Sequence, residues 1–411
     1  MTNPLLEHAL LIPFSVQNDC LQIGRMALTR LAERVGTTPF YAYDREKITE
    51  RVKLLRQHLP QEVLLHYAIK ANPMPAVVQH LASLVDGLDI ASIGEMRVAL
   101  DTILTPEKIS FAGPGKKVHE LRSAIAAGVI LNVESQQEME SIAKLGIDLG
   151  ITPKIAIRIN PNFELKSSGM KMSGGPKPFG IDAERVPDLL VRIGFLGLDF
   201  VGFHIFSGSQ NLNATAIQEA HEKTIQLAIE LAEYAPSPVK LLNIGGGFGV
   251  PYFPGDRPLD IAAIGINLQY QIKRVKQQLP HTTVALELGR YLVAEAGIYV
   301  CRVLERKMSR GQVFLVTDGG LHHHLAASGN LGQVIRKNYP VIIGNKIQGA
   351  AREIVSVVGP LCTPLDLLAD QMQMTRASVN DLVVVLQSGA YGLSASPTAF
   401  LNHPPPVEVL V

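Results

Sequence analysis

The sequence predicts an α/β fold, a parallel (β/α)8 barrel followed by a mainly β domain. Three observations support this prediction. Eight short β-rich segments lie between residues 64 and 289, amphipathic helical segments separate most of them, and the chain becomes predominantly β-rich after residue 290. Eight strand–helix units over roughly 230 residues are typical of such a barrel. A doubly wound parallel sheet is the structural alternative.

The eight barrel strands follow one another at regular intervals. In chain order they are LLHYAIK, GLDIAS, KISFAG, VILNVES, KIAIRIN, FVGFHIF, LLNIGG and VALELG. Between them, segments such as PAVVQHLASLV and VHELRSAIAAG carry apolar residues at helical spacing. We therefore predict a barrel domain over residues 36–290.

After the eighth strand the pattern changes. GIYVCRVLERK, GQVFLVTDGG, EIVSVVGPLCTP, DLVVVLQSGAYG and VEVLV are β-rich and bounded by Gly, Pro and Asp. The first 35 residues precede the first barrel unit. We therefore expect residues 1–35 and 291–411 to form the β domain together.

Composition narrows the classes of partner. The 411 residues are 47% hydrophobic and carry a formal net charge of +1, with no basic patch for nucleic acid or an anionic membrane. The opening MTNPLLEHALLIPF has no basic n-region, and no apolar run reaches the length of a membrane span. Three dispersed cysteines form neither a disulfide framework nor a zinc site. We expect a cytoplasmic protein that acts on a small molecule.

Polar residues gather where the predicted strands end, which is where a barrel builds its active site. They are Lys70, Asp89, Arg158, His204, Ser207, Gly245, Gly246, Gly247, Glu287 and Arg290. The glycine run offers backbone N–H groups to an anion such as a phosphate, although a triple glycine alone is more often a tight turn. A lysine together with a phosphate site suggests a Schiff base with pyridoxal phosphate.

The motifs YAIKAN, LDIASIGE, HIFSGSQ, NIGGGFG, ELGR, GPLCTPLD and SGAYG occur in this order. In these motifs the chain resembles the fold-type III pyridoxal-phosphate decarboxylases, the group of diaminopimelate and ornithine decarboxylases. The resemblance implies an alanine-racemase-like barrel with a β domain. It also implies a pyridoxal 5'-phosphate cofactor and a homodimer with shared active sites.

The resemblance also implies roles for individual residues. Lys70 matches the lysine that forms the Schiff base, Asp89 its acidic neighbour, and His204 the imidazole that stacks on the cofactor ring. Glu287 would pair with the pyridine nitrogen, and Cys362 would reach from the partner subunit to assist protonation. The residues matching phosphate ligands are Ser207, Gly245 to Gly247, Arg290 and Tyr391. Arg158 and Asp318 match active-site positions as well.

Departures from the family pattern bear on the substrate. Decarboxylases of diamino acids usually carry Asp or Glu after this cysteine, whereas Thr363 cannot neutralise a distal ammonium. The Arg-Pro-x-Leu-Tyr substrate segment is also replaced, by LHHHLAASGNLGQVIRKNYP. GPLCTP, DGGLHHH and SGAYGLS resemble a subgroup from secondary-metabolite and exopolysaccharide clusters, which includes a decarboxylase of glutamyl units on an acyl carrier protein. We expect an amino acid with an uncharged distal end, tethered or not.

Three alternatives stay open. The chain could be a decarboxylase of a free diamino acid such as diaminopimelate, or a catalytically silent homologue that binds the cofactor. A racemase of the same barrel type is a third possibility, but racemases face the pyridine nitrogen with arginine and this chain has Glu287. For His322, His323 and His324 we reject a metal site, because neighbouring residues of a strand point to opposite faces.

Overall fold

The computed structural model describes residues 14–164, 169–349 and 351–411. Its strands are β1 (Val16–Gln17), β2 (Cys20–Ile23), β3 (Met26–Ala27), β4 (Phe40–Tyr43), β5 (Leu64–Ala68), β6 (Gly87–Ile90), β7 (Ile109–Phe111), β8 (Ile130–Val133), β9 (Lys154–Asn160), β10 (Met170–Lys171), β11 (Ile181–Asp182), β12 (Asp199–His204), β13 (Gly208–Ser209), β14 (Leu241–Gly246), β15 (Thr283–Leu288), β16 (Gly297–Ser309), β17 (Gln312–Thr317), β18 (Val341–Ile343), β19 (Arg352–Val358), β20 (Leu367–Thr375), β21 (Leu382–Val385) and β22 (Val407–Leu410). Its α-helices are α1 (Leu28–Val35), α2 (Arg45–His58), α3 (Pro75–Ala82), α4 (Ile93–Leu100), α5 (Val118–Ala127), α6 (Gln136–Leu149), α7 (Val186–Leu196), α8 (Ala214–Ala232), α9 (Ile261–Gln278) and α10 (Arg290–Val293).

The described residues form two compact units. The barrel unit comprises Glu50–Val250 and Pro258–Gly289, within the described ranges. The β unit comprises the described residues up to Thr49, with Pro251–Arg257 and Arg290–Val411. The predicted division into a barrel domain of residues 36–290 and a β domain of residues 1–35 with 291–411 stays a prediction. The opening segment discussed above lies almost wholly outside the described residues.

The barrel unit contains the predicted closed parallel barrel. Its strands pair in the order β5, β6, β7, β8, β9, β12, β14 and β15, and β15 pairs again with β5. All eight strand segments expected from the sequence are present, so the (β/α)8 prediction is confirmed. Interior strands of this kind are buried on both faces, which explains their nearly continuous apolar runs.

Local sequence signals place the helices that follow the strands. Ser92, Ser135 and Asn213 each accept a hydrogen bond from a backbone N–H in the first turn of α4, α6 and α8. Gly128 and Gly150 end α5 and α6 in the left-handed conformation, which glycine adopts without a steric penalty. Because the eight barrel strands run parallel, their carboxyl ends lie together at one end of the barrel.

The β unit contains a mixed sheet in the order β18, β21, β16, β17, β19 and β20. Strand β4 joins the sheet by pairing with β16 and β22. Strands β4, β18 and β20 were not expected from the sequence, whereas the other β-rich segments of this region are confirmed. Among the described residues, every helix is too short or too polar to cross a bilayer.

Candidate active site

Three ionisable side chains meet at the carboxyl ends of the barrel strands. Lys70 lies in a single 3-10 turn, Ile69–Ala71, immediately after β5 ends. Its Nζ is 3.1 Å from Oε1 of Glu287, and Oε2 of Glu287 is 3.0 Å from Nε2 of His204. Glu287 and His204 are buried, but 43% of the Lys70 side chain is exposed. The arrangement presents an amine at the mouth of the barrel above a buried carboxylate.

The electrostatics of this cluster favour an ionised Glu287. Burial by itself raises the pKa of Glu287, but the ammonium of Lys70 and the hydrogen bond with His204 outweigh it and hold the pKa well below its usual value. A buried carboxylate that stays charged needs a cationic or protonated partner. The carboxylate of Glu287 can therefore also stabilise a protonated ring nitrogen of a ligand bound next to it.

Phe206 is a site residue whose role the sequence did not reveal. Its ring centroid lies 5.2 Å from Nζ of Lys70. At this distance an aromatic face attracts an ammonium group. Phe206 therefore contacts Lys70 and also packs near Gly245 of the glycine turn.

Asp89 belongs to a neighbouring buried polar group. Its Oδ2 lies 3.3 Å from Nδ1 of His66, and Oδ1 accepts a hydrogen bond from the Ser110 hydroxyl. Burial lowers the pKa of His66, but the charge of Asp89 outweighs it and the net pKa is raised. His66 and Ser110 were missed in the sequence analysis. Ser110 lies in the third strand, for which no polar residue had been selected.

Arg158 is held by a partner that the sequence analysis also missed. Its Nη1 donates to Oε1 of Glu134 at 2.7 Å, and both side chains are buried. Burial raises the pKa of Glu134, but Arg158 outweighs it and the pKa is lowered. Glu134 follows β8 directly, so the criterion that selected the other residues, a polar side chain at a strand end, would have found it.

The predicted glycine turn is built by close backbone packing. A Cβ atom at Gly246 would lie 2.1 Å from the carbonyl oxygen of Glu287, and one at Gly247 would lie 2.1 Å from that of Gly208. Gly245 has a φ of +70°, and its N–H donates to Oδ1 of Asn243 at 2.8 Å. Ser207 is buried beside this turn. No side chain other than hydrogen fits at these positions, so the backbone itself lines the turn.

Arg290 and Tyr391 lie together in the β unit. The guanidinium of Arg290 lies 4.6 Å from the ring centroid of Tyr391 and donates from Nη1 to the hydroxyl of Tyr252 at 3.1 Å. Its Nε is buried with no hydrogen-bond partner in the described part of the chain. An oriented guanidinium with an unused donor is suited to an anionic oxygen. Tyr252 had not been selected from the sequence.

Cys362, Thr363 and Asp318 occupy loops of the β unit. Cys362 is exposed, in a turn stabilised by Asp366, whose carboxylate accepts the backbone N–H groups of Leu361 and Leu321. Thr363 accepts a hydrogen bond from the N–H of Leu365 at 3.3 Å. Asp318 accepts from the Thr38 hydroxyl and from the N–H of Arg302. Because Asp366 accepts from both Leu361 and Leu321, the Cys362 turn is tied to the segment that carries the three histidines.

The expectation that His322, His323 and His324 lie on a strand is wrong. His322 and His323 lie in a turn and His324 lies at its end, and all three are buried. His323 and His324 are hydrogen-bonded to Tyr299 and Ser388, at 3.1 and 2.9 Å respectively. Burial lowers the pKa of His322 to about 3 and that of His323 to about 4. These rings are neutral packing elements of the β unit.

The barrel residues fit a pyridoxal phosphate cofactor. A partly exposed amine for its aldehyde lies beside an ionised carboxylate for its ring nitrogen. The glycine turn, into which no Cβ fits, offers backbone to its phosphate. In addition, Nδ1 of His204 is buried and without a hydrogen-bond partner among the described residues.

Comparisons with known proteins agree with this fit. Residues 45–294 match the family model described as "Pyridoxal-dependent decarboxylase, pyridoxal binding domain". The chain is 38% identical to an L-glutamyl-[BtrI acyl-carrier protein] decarboxylase of Niallia circulans, over 95% of this chain and 92% of that protein. It is 32% identical to a diaminopimelate decarboxylase of Aquifex aeolicus, over 100% of this chain and 93% of that protein.

A solved structure shares the whole architecture. A diaminopimelate decarboxylase from M. jannaschii, in co-complex with L-lysine, superposes with a TM-score of 0.85 at 26% identity. The match covers 97% of this chain and 92% of that one. The similarity thus extends through both the barrel and the β unit.

Proposed function

This chain belongs to the pyridoxal-dependent decarboxylases, and on that premise we propose that it converts an amino acyl unit with an uncharged distal end, carried by an acyl carrier protein or free, to the amine and carbon dioxide. The observation that carries the reaction type is Glu287, buried and ionised between Lys70 and His204. The substrate class is supported by the identity with the carrier-protein-dependent relative and by Thr363.

Each barrel residue has one task in this proposal. When bound, pyridoxal phosphate supplies an electron sink for the electron pair of the broken bond between Cα and the carboxylate. Lys70 would hold the cofactor covalently, Glu287 would keep its ring nitrogen protonated, and His204 would stack on its ring. Ser207 and the turn Gly245 to Gly247 would bind the cofactor's phosphate. The unused guanidinium donor of Arg290 supports a phosphate-binding role for Arg290 and for Tyr391, which lies beside it.

Asp89 and Arg158 would help to bind the cofactor, and each is held in place by neighbouring side chains. Asp89 shares a buried group with His66 and Ser110, and Arg158 is paired with Glu134. Charged groups fixed by such contacts keep their geometry when a ligand binds, because they need not reorganise. We therefore assign both residues to cofactor binding.

The carbon that loses carbon dioxide must gain one proton. We assign its delivery to Cys362 of the partner subunit or to Lys70. The homodimer that this assignment requires is supported by exposed apolar side chains on the β unit near the cysteine turn. They are Leu331, Val334, Ile335 and Leu365. The amide of Asn330, next to Leu331, lies 3.5 Å from the carbonyl oxygen of Leu365 and joins the two loops.

Thr363 would lie at the distal end of the substrate, and Asp318, which matches an active-site position, would contact another part of it. An unpaired ammonium in a closed pocket costs several kcal/mol, and a threonine hydroxyl carries no charge to offset that cost. A free diamino acid is thus disfavoured. The relatives named diaminopimelate decarboxylases nevertheless make it the second candidate. A role in secondary metabolism is also proposed, on the resemblance of GPLCTP, DGGLHHH and SGAYGLS. A cytoplasmic location is proposed because no apolar run in the sequence reaches the length of a membrane span.

The first experiment compares the wild type with Lys70→Ala. We expect the wild type alone to show the absorption of a lysine-bound cofactor, near ~420 nm. A wild type that shows no such band after addition of pyridoxal phosphate would contradict the proposal at its first step.

The second experiment measures carbon dioxide release from free and carrier-tethered glutamyl units and from free lysine and diaminopimelate. We expect release from the carrier-tethered glutamyl unit, whose distal carboxyl is uncharged as a thioester, in preference to the free amino acids, whose distal ends are charged. Thr363→Asp should improve kcat/KM for a free diamino acid by at least about tenfold, since it restores a charge partner, and Thr363→Ser should not. Efficient release from diaminopimelate by the wild type would favour the second candidate.

A further inference from the structure

His221 is a buried polar residue that the proposed mechanism does not use. It lies in α8 with 3% of its surface exposed, and neither ring nitrogen has a hydrogen-bond partner among the described residues. Its ring packs at 6.3 Å from that of Phe248, one residue beyond the glycine turn. An unsatisfied buried donor or acceptor costs about 1–3 kcal/mol. Two such atoms in one side chain call for a physical explanation.

A small cavity beside His221 offers one. Ile217, His221 and Thr224 lie at i, i+4 and i+7 of α8 and therefore on one face of the helix. They line a cavity of about 10 Å³ together with Ser207, Gly208 and Gly246. This volume is enough for one water molecule, which needs two to four polar partners. The hydroxyls and backbone groups on both sides of the cavity can provide them.

The glycine turn borders this cavity at Gly246. It is held through its backbone: the N–H of Gly245 donates to Oδ1 of Asn243, and the carbonyl oxygen of Gly247 accepts the N–H of Asn211. Burial lowers the pKa of His221 to about 4, so the ring is neutral and presents one donor and one acceptor. A neutral imidazole can thus accept from one neighbour while it donates to another.

We propose that His221 is a positioning residue for the phosphate-binding turn. Through one water molecule in the cavity, its ring restrains Ser207 and the backbone at Gly246 in the geometry that receives a phosphate. The inference rests on the proposed function, because it assumes that this turn binds the cofactor's phosphate. It gives α8 a role in positioning the phosphate-binding turn, which the resemblance to the decarboxylase family does not imply.

The test compares pyridoxal phosphate with pyridoxal, which lacks the phosphate. Full-length apoprotein is titrated with each compound, and the ratio of the two dissociation constants measures the preference for phosphate. We expect His221→Phe to lower this preference about tenfold, the value of one lost hydrogen-bonded link. His221→Gln keeps a donor and an acceptor and should stay within about threefold of the wild type.

Ile217→Val is the matched control, since it alters the same cavity without changing a polar group, and its preference should equal that of the wild type. If His221→Phe does not fold, His221→Met replaces it, because methionine adapts to irregular gaps. An unchanged preference in the apolar variant, or an equal loss of affinity for both compounds, would overturn the inference. A wild type with no preference for phosphate would instead refute the proposed cradle.

Discussion

At the scale of single residues, the contacts of Lys70 give a structural reason for a charged side chain directly after the buried strand β5. The turn after β5 puts its amine 3.1 Å from Glu287 and within reach of the Phe206 ring. Glu287 in turn is shared with His204. The amine is therefore held by charge and by an aromatic face, as the proposed role of holding the cofactor in one orientation would require.

The first prediction concerns Glu287→Gln. A neutral amide does not keep the ring nitrogen protonated, so we expect kcat to fall about 100-fold while pyridoxal phosphate still binds. Steady-state carbon dioxide release and the absorption spectrum measure the two effects. Glu140→Gln, at an exposed ion pair with Arg192, should behave as the wild type. A decrease of less than about threefold in kcat would show that this carboxylate is not essential.

The second prediction concerns His324 and acid stability. Burial lowers the pKa of His324 to about 3, and its Nδ1 accepts the N–H of Ala327, so Nε2 carries the proton donated to Ser388. Below pH ~6.5 the unfolded chain binds a proton that the folded chain excludes, and stability falls as the pH drops toward 3. Between pH 7 and pH 5, the free energy of unfolding of His324→Gln should fall by about 2 kcal/mol less than that of the wild type.

Denaturant unfolding at both pH values measures this difference. His119→Gln is the control, because His119 is exposed and should leave the wild-type pH dependence intact. Identical pH dependence in His324→Gln and the wild type would mean that the His324 ring gains its proton without unfolding.

At the scale of elements, the turn after β14 depends on backbone contacts. Gly246 faces Glu287 across the β14–β15 pair, where the register shifts, and a Cβ atom there would also meet Leu288 at 2.6 Å. The close approach of the two strands therefore excludes every side chain larger than hydrogen. This is a structural reason for the glycine that does not depend on the cofactor.

The third prediction follows from this contact. Gly246→Ala must displace the backbone, so we expect a loss of about 1–3 kcal/mol in the free energy of unfolding and at least about tenfold weaker binding of pyridoxal phosphate. Calorimetry and cofactor titration measure the two quantities. Gly94→Ala in α4 is the control, because its Cβ would make only an ordinary contact at 3.7 Å and alanine favours helix. Wild-type cofactor affinity in Gly246→Ala would contradict the assignment of the turn.

At the scale of the whole molecule, proton delivery by Cys362 requires a second copy of the chain. Cys362 is exposed, and the apolar side chains of its own and the neighbouring loop, with Val334 and Ile335 foremost, are exposed as well. Several exposed apolar side chains on neighbouring loops are typical of interaction sites. A symmetric dimer would cover these side chains and would supply each active site with one cysteine from the other subunit.

The fourth prediction tests shared sites by mixing two inactive variants. If Cys362 delivers the proton, Lys70→Ala and Cys362→Ala should each lose nearly all activity. When their subunits are exchanged at a 1:1 ratio, half of the dimers are mixed and each contains one intact site, so about a quarter of wild-type activity should return. Carbon dioxide release before and after exchange is the measurement. No recovery after proven subunit exchange would place both residues in the same subunit's site.

The sequence by itself determined the fold class. Strand period and helix period are local signals, so the eight barrel strands and their order could be inferred, and the rule that barrel sites lie at strand ends selected Lys70, His204 and Glu287 as candidate site residues. The tertiary structure alone decided how these side chains pair. Glu134 beside Arg158, Phe206 beside Lys70, and His221 behind the turn are contacts between distant segments. Their distances follow from barrel closure and packing, which no local pattern specifies.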